Sequence, residues 1–354
     1  MVPGAKVKES DVYVIMLAVL MVTAIGASWR PTGLVRKYAI ERSLLDVPSQ
    51  RSSHANPTPR GGGLSIVLVV MLGVVILTSV HVLPQQFAVA LLGGMVLVAA
   101  IGWIDDVRGV PPAARAVVHF LAAAWALHWL HGFTGMRIGP FEWHLGTTGT
   151  VLAAFVIVWL TNLYNFMDGI DGLAASEAVF VGMVGGVLLL LGGNAGLGST
   201  ALLVASASGG FLIWNWAPAK IFMGDVGSGA LGYIFGVLAI SSERSGGFPL
   251  VLWGLLLGVF LIDATTTLLR RVISGERWHK AHRRHTYQRV AQAGLSHAHV
   301  TIWVLGVNAL LACLAVVGWT ASKAVIPASA LGLIILLGLY WRIERAYPMT
   351  MTQE

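Results

Sequence analysis

Eleven stretches of apolar sequence, most of them about as long as a helix must be to cross a bilayer, leave this chain few ways to fold. A hydrocarbon core about 30 Å thick needs roughly 20 apolar residues in a helix. Such runs lie near 11–29, 63–83, 86–104, 115–131, 147–165, 173–193, 199–216, 227–241, 248–269, 298–320 and 323–341, the fourth and eighth being short. Only 11% of the 354 residues are charged and 56% are hydrophobic, whereas a soluble domain carries about 25% charged residues. A water-soluble globular enzyme is therefore excluded. The expected fold is all-α: a polytopic integral membrane helical bundle of about eleven transmembrane helices, forming one domain over 1–354. No linker or internal repeat divides it. The first run does not read as a cleaved signal peptide, because its flank, Lys6-Val7-Lys8-Glu9, is mixed in charge and no A-x-A-like site follows. The single cysteine, Cys313, lies in an apolar run and excludes a disulfide framework.

The few charges are sorted by side. An odd number of spans puts the termini on opposite faces, and lysine and arginine decide which face is cytoplasmic. Lys6, Lys8, Arg137, Arg244 and Lys323 fall on one face, and the remaining 18 of the 23 basic residues on the other. The N-terminus is therefore expected to be periplasmic and the C-terminus cytoplasmic. The net charge of +7 then reflects loops facing anionic lipid headgroups rather than nucleic acid, for which no motif is present. Asp105, Asp106, Asp168, Asp171 and Asp225 all fall on the cytoplasmic side, so chemistry with a soluble cytoplasmic partner is expected there.

Five constellations carry that chemistry. Asp105 and Asp106 end the third run; adjacent carboxylates raise each other's pKa unless a cation sits between them, although a solvated helix end would also explain them. Asn162, Asn165 and Asp168 recur every three residues and share a helix face, with Asp171 continuing the series. Amide and carboxylate oxygens on one stripe suit a hard cation, or a ribose and phosphate. A helix C-terminus broken by Gly169 and Gly172 accounts for the glycines but leaves four polar residues beside lipid. In F-M-G-D-V-G-S at 222–228, glycines flank Asp225 and let backbone approach a phosphate; a tight turn with Asp225 as helix cap is the plainer reading. The loop 270–297 holds His279, His282, Arg283, His285 and Tyr287 among seven lysines and arginines. Histidines among so many cations make poor zinc ligands, whereas arginine and histidine together suit a pyrophosphate; a topogenic loop explains the charge but not the histidines. In P-T-P-R-G-G-G at 57–63 and the residues before it, His54 and Arg60 are placed to touch phosphate, or to form a rigid topogenic loop. Two further acids, Glu177 and Asp263, lie within apolar runs and are functional candidates by default; Asp263 could be paired near Arg270, and Glu177 could snorkel to the interface near Asp171.

Taken in order, these motifs resemble the polyprenyl-phosphate N-acetylhexosamine-1-phosphate transferase superfamily (glycosyltransferase family 4). The matching pieces are P-T-P-R-G-G-G, the D-D pair, N-x-x-N-x-x-D-G-I-D-G-L-A, F-M-G-D-V-G-S and H-x-x-H-R-x-H-x-Y-Q-R. The span count is similar to that of the WecA-like branch, and the last motif looks most like WbpL-like enzymes that initiate O-antigen synthesis. Arg60, where the peptidoglycan branch has methionine, and the lack of that branch's triple histidine point away from phospho-muramoyl-pentapeptide. The resemblance implies transfer of a sugar 1-phosphate (GlcNAc, FucNAc or QuiNAc type) from a UDP-N-acetyl sugar to undecaprenyl phosphate, with release of UMP and Mg²⁺ (or Mn²⁺) as cofactor. It implies a multi-pass protein of the bacterial inner membrane with its site facing the cytoplasm, working in lipopolysaccharide and O-antigen biosynthesis. Asp225 would match the metal-binding aspartate, and Asp105 and Asp106 the pair that activates the lipid phosphate or assists the metal. Asn165, Asp168 and Asp171 would match the nucleotide- and metal-side motif, with Asn162 a further substrate-binding residue, and His279, His282, Arg283 and His285 the diphosphate-sugar loop. Membrane lipids are implied partners, and family members often form homodimers through membrane helices.

Two rival readings stand beside this one. An ion-coupled transporter would place Glu177 and Asp263 on a mid-membrane aqueous cavity amid broken helices; the clustering of the aspartates on one side argues against it. A CDP-alcohol phosphotransferase would share the D-G pairs, but it needs an arginine where Leu173-Ala174-Ala175-Ser176 follows.

Overall fold

The structure, a computed structural model, describes residues 9–47, 57–276 and 282–349. Every apolar run is helical. The helices are α1 (Glu9–Glu41), α2 (Leu64–Ser79), α3 (Gln85–Arg108), α4 (Pro112–Trp129), α5 (Gly146–Phe166), α6 (Leu173–Leu191), α7 (Ala195–Asn215) and α8 (Asp225–Ser245). The ninth run is two helices, α9 (Leu250–Leu256) and α10 (Gly258–Ile273), meeting at 83°. A short α11 (Thr286–Gln292) precedes α12 (His297–Thr320) and α13 (Val325–Ala346). Among the described residues sheet is confined to two antiparallel pairs: β1 (Leu45–Asp46) with β2 (Thr58–Pro59), and β3 (Gly135–Ile138) with β4 (Phe141–His144).

The protein is an all-α polytopic membrane protein, with a smaller count of clear spans than the eleven apolar runs suggest. Among the described residues eight helices are long and apolar enough to cross a bilayer, and the bent α9–α10 pair makes a ninth. Helix α2 has only 16 residues, about 24 Å at 1.5 Å per residue. In α4, Arg115, His119 and His128 dilute the apolar surface.

Buried side chains form one continuous cluster from Ala24 on α1 to Leu336 on α13. Its axis is α8, buried along nearly its whole length and packed against α3 and α5. Small residues permit this closeness, as is usual where helices associate in lipid. At Gly232 on α8 an added Cβ would lie 2.2 Å from the Leu160 carbonyl oxygen of α5, and at Gly94 on α3 1.9 Å from the Tyr233 hydroxyl of α8. Helix α8 also separates two chemically different ends, roughly 30 Å apart for its 21 residues. At its C-terminus the β3–β4 hairpin is tied down: Arg137 N donates to Glu243 Oε1 at 2.7 Å, and Arg244 donates to the Gly132 carbonyl at 2.5 Å. At its N-terminus the aspartate motifs gather.

Candidate active site

The site is assembled by backbone pairing between segments far apart in sequence. Phe222 N donates to the Pro59 carbonyl at 2.8 Å, Gly62 N to that of Phe222 at 3.0 Å, and Gly63 N to that of Met223 at 2.8 Å. The P-T-P-R-G-G-G and F-M-G-D-V-G-S motifs are thus one unit. Helix α3 closes on that unit at Gly102, where a Cβ would sit 2.6 Å from the Asp225 carbonyl oxygen. The approach lets Asp106 cap α8 from outside: its Oδ1 accepts from Asp225 N at 3.1 Å and its Oδ2 from Val226 N at 3.2 Å. Gly224, at φ +77°, leaves room for that carboxylate; a Cβ there would meet Asp106 Oδ2 at 2.5 Å. The first amides of a helix otherwise lack partners, so Asp106 completes α8.

In front of this junction lies a cavity of about 210 Å³. Its wall includes Asp46, Arg60, Asp106, Asn165, Asp168, Asp171, Asn215, Asp225, Gln288 and His297. Asn165 donates to Ser228 Oγ at 3.2 Å, tying α5 to α8. Asp171 accepts from Ala219 N at 3.0 Å and pairs with His297 Nδ1 at 3.3 Å. Burial first, and then the carboxylates of Asp225, Asp106 and Asp171, hold the Asp168 carboxyl well above the usual range. Among the described residues five carboxylates, those of Asp46, Asp106, Asp168, Asp171 and Asp225, share this wall, and such hard oxygens suit a divalent cation.

The other expected residues lie around this cavity rather than on its wall. Asp105 accepts from Val110 N at 2.5 Å and from Arg115 Nη1 at 2.6 Å; the same nitrogen reaches Asp225 Oδ2 at 2.7 Å. Asn162 donates to the Val158 carbonyl at 2.7 Å and meets His119 Nδ1 at 3.2 Å. His285 stacks on Phe166, lies 3.5 Å from Asp263 Oδ1 and forms the N-terminal box of α11 with Gln288. Burial, then His285 and the arginines at 271 and 284, pushes the His282 imidazole down to about 3. Arg283 carbonyl accepts from Gln292. His54 and His279 lie outside the described residues.

The two acids inside apolar runs have structural partners. Asp263 accepts from Thr286 N at 2.8 Å, from Tyr287 N at 3.2 Å and from the Thr286 hydroxyl, and so caps α11. Glu177 does not snorkel: it is fully buried and accepts from Asn308 Nδ2 at 2.5 Å. Among the described residues the broken helix is packed with leucine, Leu311 and Leu336 lying against Gly258.

Glu276 ties the histidine loop to α10, pairing with Arg271 at 3.0 Å and with Arg284. Although burial opposes it, the two arginines hold its carboxyl below the usual range. Glu276→Gln is expected to raise the KM for the substrate this loop contacts about tenfold, one lost charged hydrogen bond, with kcat little changed. Steady-state kinetics check this.

Sequence reasoning did not single out Arg115, Asp46, Asn215, Gln288 or His297. Gln288 was visible within the H-x-x-H-R-x-H-x-Y-Q-R motif, and its approach leaves a mark at Gly169, where a Cβ would fall 2.7 Å from Gln288 Nε2 and 2.2 Å from the Tyr287 hydroxyl. Gly169→Val is accordingly expected to push α11 off the cavity and to cost at least about 100-fold in turnover, as misplacements of about 1 Å do; an assay of the folded variant checks it.

Comparison with known proteins adds relatives to this geometry. Residues 88–243 match the family model described as glycosyl transferase family 4. The chain is 30% identical over 286 residues, 78% of either chain, to a probable undecaprenyl-phosphate N-acetylglucosaminyl 1-phosphate transferase of Bacillus subtilis. It is 29% identical over 328 residues, 81% of this chain and 78% of the other, to a decaprenyl-phosphate N-acetylglucosaminephosphotransferase of Mycolicibacterium smegmatis. It is also 32% identical over 276 residues, 72% of either chain, to a phospho-N-acetylmuramoyl-pentapeptide-transferase of a Synechococcus species.

Proposed function

The chain belongs to glycosyl transferase family 4, in the superfamily of polyprenyl-phosphate N-acetylhexosamine-1-phosphate transferases, and from that premise we propose what its cavity transfers and how. It is a phosphosugar transferase of the membrane that acts on polyprenyl phosphate. The proposed reaction moves the 1-phosphate of an N-acetylated sugar from a UDP-sugar to undecaprenyl phosphate and releases UMP. The carrying observation is convergence: Arg60, Asp106, Asn165, Asp168, Asp171 and Asp225, from four separate motifs, meet on one cavity at one end of the bundle.

Phosphoryl transfer asks a protein mainly for positioning and charge neutralisation. Mg²⁺ (or Mn²⁺) would supply neutralisation at the diphosphate, and Asp225 would hold it, with Asp168 beside it in the wall. Among the described residues no three carboxylate, histidine or cysteine side chains form a ready cage, which suits Mg²⁺, commonly held by one or two carboxylates plus substrate phosphates. Arg60 pairs with a phosphate oxygen, and Asn165, held by Ser228, offers its amide oxygen to the ribose side. Arg115 keeps Asp105 and Asp225 from repelling each other. The arginines of the loop around 283 orient the donor.

The N-acetylhexosamine donors are favoured over phospho-muramoyl-pentapeptide because Arg60 stands on the wall where the peptidoglycan branch has methionine. O-antigen initiation is the pathway proposed, on the likeness of the H-x-x-H-R-x-H-x-Y-Q-R motif to WbpL-like enzymes. The sorting of lysine and arginine in the sequence supports placing this end at the cytoplasmic face of a bacterial inner membrane, with the N-terminus periplasmic. A transporter would need Glu177 and Asp263 free for ions, and both are engaged in helix-to-helix contacts.

The test is an assay of purified protein in vesicles with undecaprenyl phosphate, Mg²⁺ and a panel of UDP-N-acetyl sugars, following UMP. Release with one N-acetylhexosamine donor is expected. No UMP with any sugar would overturn the proposal.

A further inference from the structure

A second cavity, larger than the first and of different chemistry, lies behind α11. It measures about 600 Å³ and is enclosed by α10, α11, α12 and α13. Val304, Val307 and Leu336 line its depth, and Trp303, 72% exposed, stands at its open side. Along α13 it extends from Leu336 to Tyr347, about 16 Å at 1.5 Å per residue. That is about half of a 30 Å hydrocarbon core, the depth of one leaflet.

The mouth of this cavity is basic. Arg342 lies on its wall, is exposed, and makes no hydrogen bond or ion pair among the described residues. Around it the ends of α10, α11 and α13 carry Arg270, Arg289 and Arg345, with Glu344 between them. Glu344 is already shared by Arg270 at 2.5 Å and Arg289 at 2.7 Å. Arg345 stacks on Trp341 at 3.8 Å. An apolar slot one leaflet deep beneath a surplus of guanidinium groups fits a lipid whose head is a phosphate.

That lipid is not the acceptor. Among the described residues helix α11 and its cap stand between the two cavities: Asp263 takes the donors of Thr286 and Tyr287, and the Tyr287 hydroxyl donates to the Phe166 carbonyl at 2.8 Å. A phosphate at Arg342 would lie on the far side of this helix from Asp225. We infer that this cavity binds an anionic phospholipid of the cytoplasmic leaflet, with one chain between α12 and α13 and the phosphate on Arg342, and that its occupant braces α11 for catalysis. The bracing follows from sharing. Thr286, Tyr287 and Val290 line the lipid cavity, while Gln288 on the same short helix lines the catalytic one.

The binding arm of the test needs no sugar transfer, so its failure is distinguishable from failure of the transferase reading. The full chain is purified in detergent and exposed to phosphatidylglycerol or phosphatidylcholine of matched chains, and retained lipid is counted by native mass spectrometry. Phosphatidylglycerol is expected to be retained preferentially. Arg342→Gln should lower that preference about fivefold, the worth of one arginine at an anionic surface. Val304→Trp should fill the slot and reduce retention of both lipids. In vesicles, phosphatidylglycerol should raise kcat of the unmodified chain several-fold and that of Arg342→Gln much less, with equal rates in pure phosphatidylcholine. Equal retention of the two lipids, or an Arg342→Gln chain that keeps the full preference, overturns the inference. So does displacement of bound phosphatidylglycerol by stoichiometric undecaprenyl phosphate, which would make this the acceptor's cavity.

Discussion

Asp225→Asn is expected to remove at least about a thousandfold of turnover while leaving the protein folded, a loss on the scale of removing a main electrostatic stabiliser from a phosphoryl-transfer site. The fold should survive because what joins α8 to α3 is the backbone of residue 225. Its N–H donates to Asp106 at 3.1 Å whatever side chain follows. The asparagine oxygen can still accept from Arg115, which also keeps Asp105 at 2.6 Å. What disappears is one negative charge on the cavity wall, the charge assigned to holding the divalent cation. Asp105→Asn is expected to cost far less, about tenfold, since Asp105 faces Val110 and Arg115 rather than the cavity. Turnover and Mg²⁺ titration of both variants, with size-exclusion profiles as the folding control, give the comparison. Retained activity in Asp225→Asn would move the cation to Asp168 and Asp171.

The helices were legible because lipid demands long apolar runs, and each of the eleven became helix. The sharp corner at Leu257 was not, since it interrupts an apolar run with only Gly258 to mark it. The site was legible as a set of motifs, because carboxylates, amides and glycines at a lipid boundary have few structural uses. Its internal division of labour was hidden. Asp105 and Asp106 are neighbours in sequence, yet on a helix end they point to different partners, one to Arg115 and the other to the amides of α8. Arg115 read as another basic residue on the cytoplasmic face. Only the turn through Pro111 and Pro112, which folds α4 back along α3, brings it between two carboxylates. Asp263 read as a buried acid in search of a function, and its function is to hold the start of α11. His297 and Asp46 carry no local signal, because their place on the cavity depends on where α12 and β1 dock.

Asp106 is the residue for which folding and chemistry can be separated. Asp106→Ala is expected to destabilise the protein by about 2–4 kcal/mol, the cost of leaving the donors of Asp225 and Val226 without their acceptor, somewhat above an ordinary helix cap. It should also lower kcat about 100-fold, because the start of α8 carries Asp225 and a shift of about 1 Å there misplaces it. Asp106→Asn discriminates between roles. Its amide oxygen can still accept from one of the two N–H groups, so stability should recover by about half. If Asp106 is a positioning residue, kcat should recover with it, and KM for the lipid should stay near that of the unmodified chain. If its charge acts on the acceptor phosphate, the asparagine variant should be as stable as expected and as inactive as the alanine one. Thermal unfolding in detergent and kinetics of the two variants decide it. The geometry favours recovery, since both carboxylate oxygens of Asp106 are already committed to α8 at 3.1 and 3.2 Å, and a Cβ at Gly224 would touch the same carboxylate.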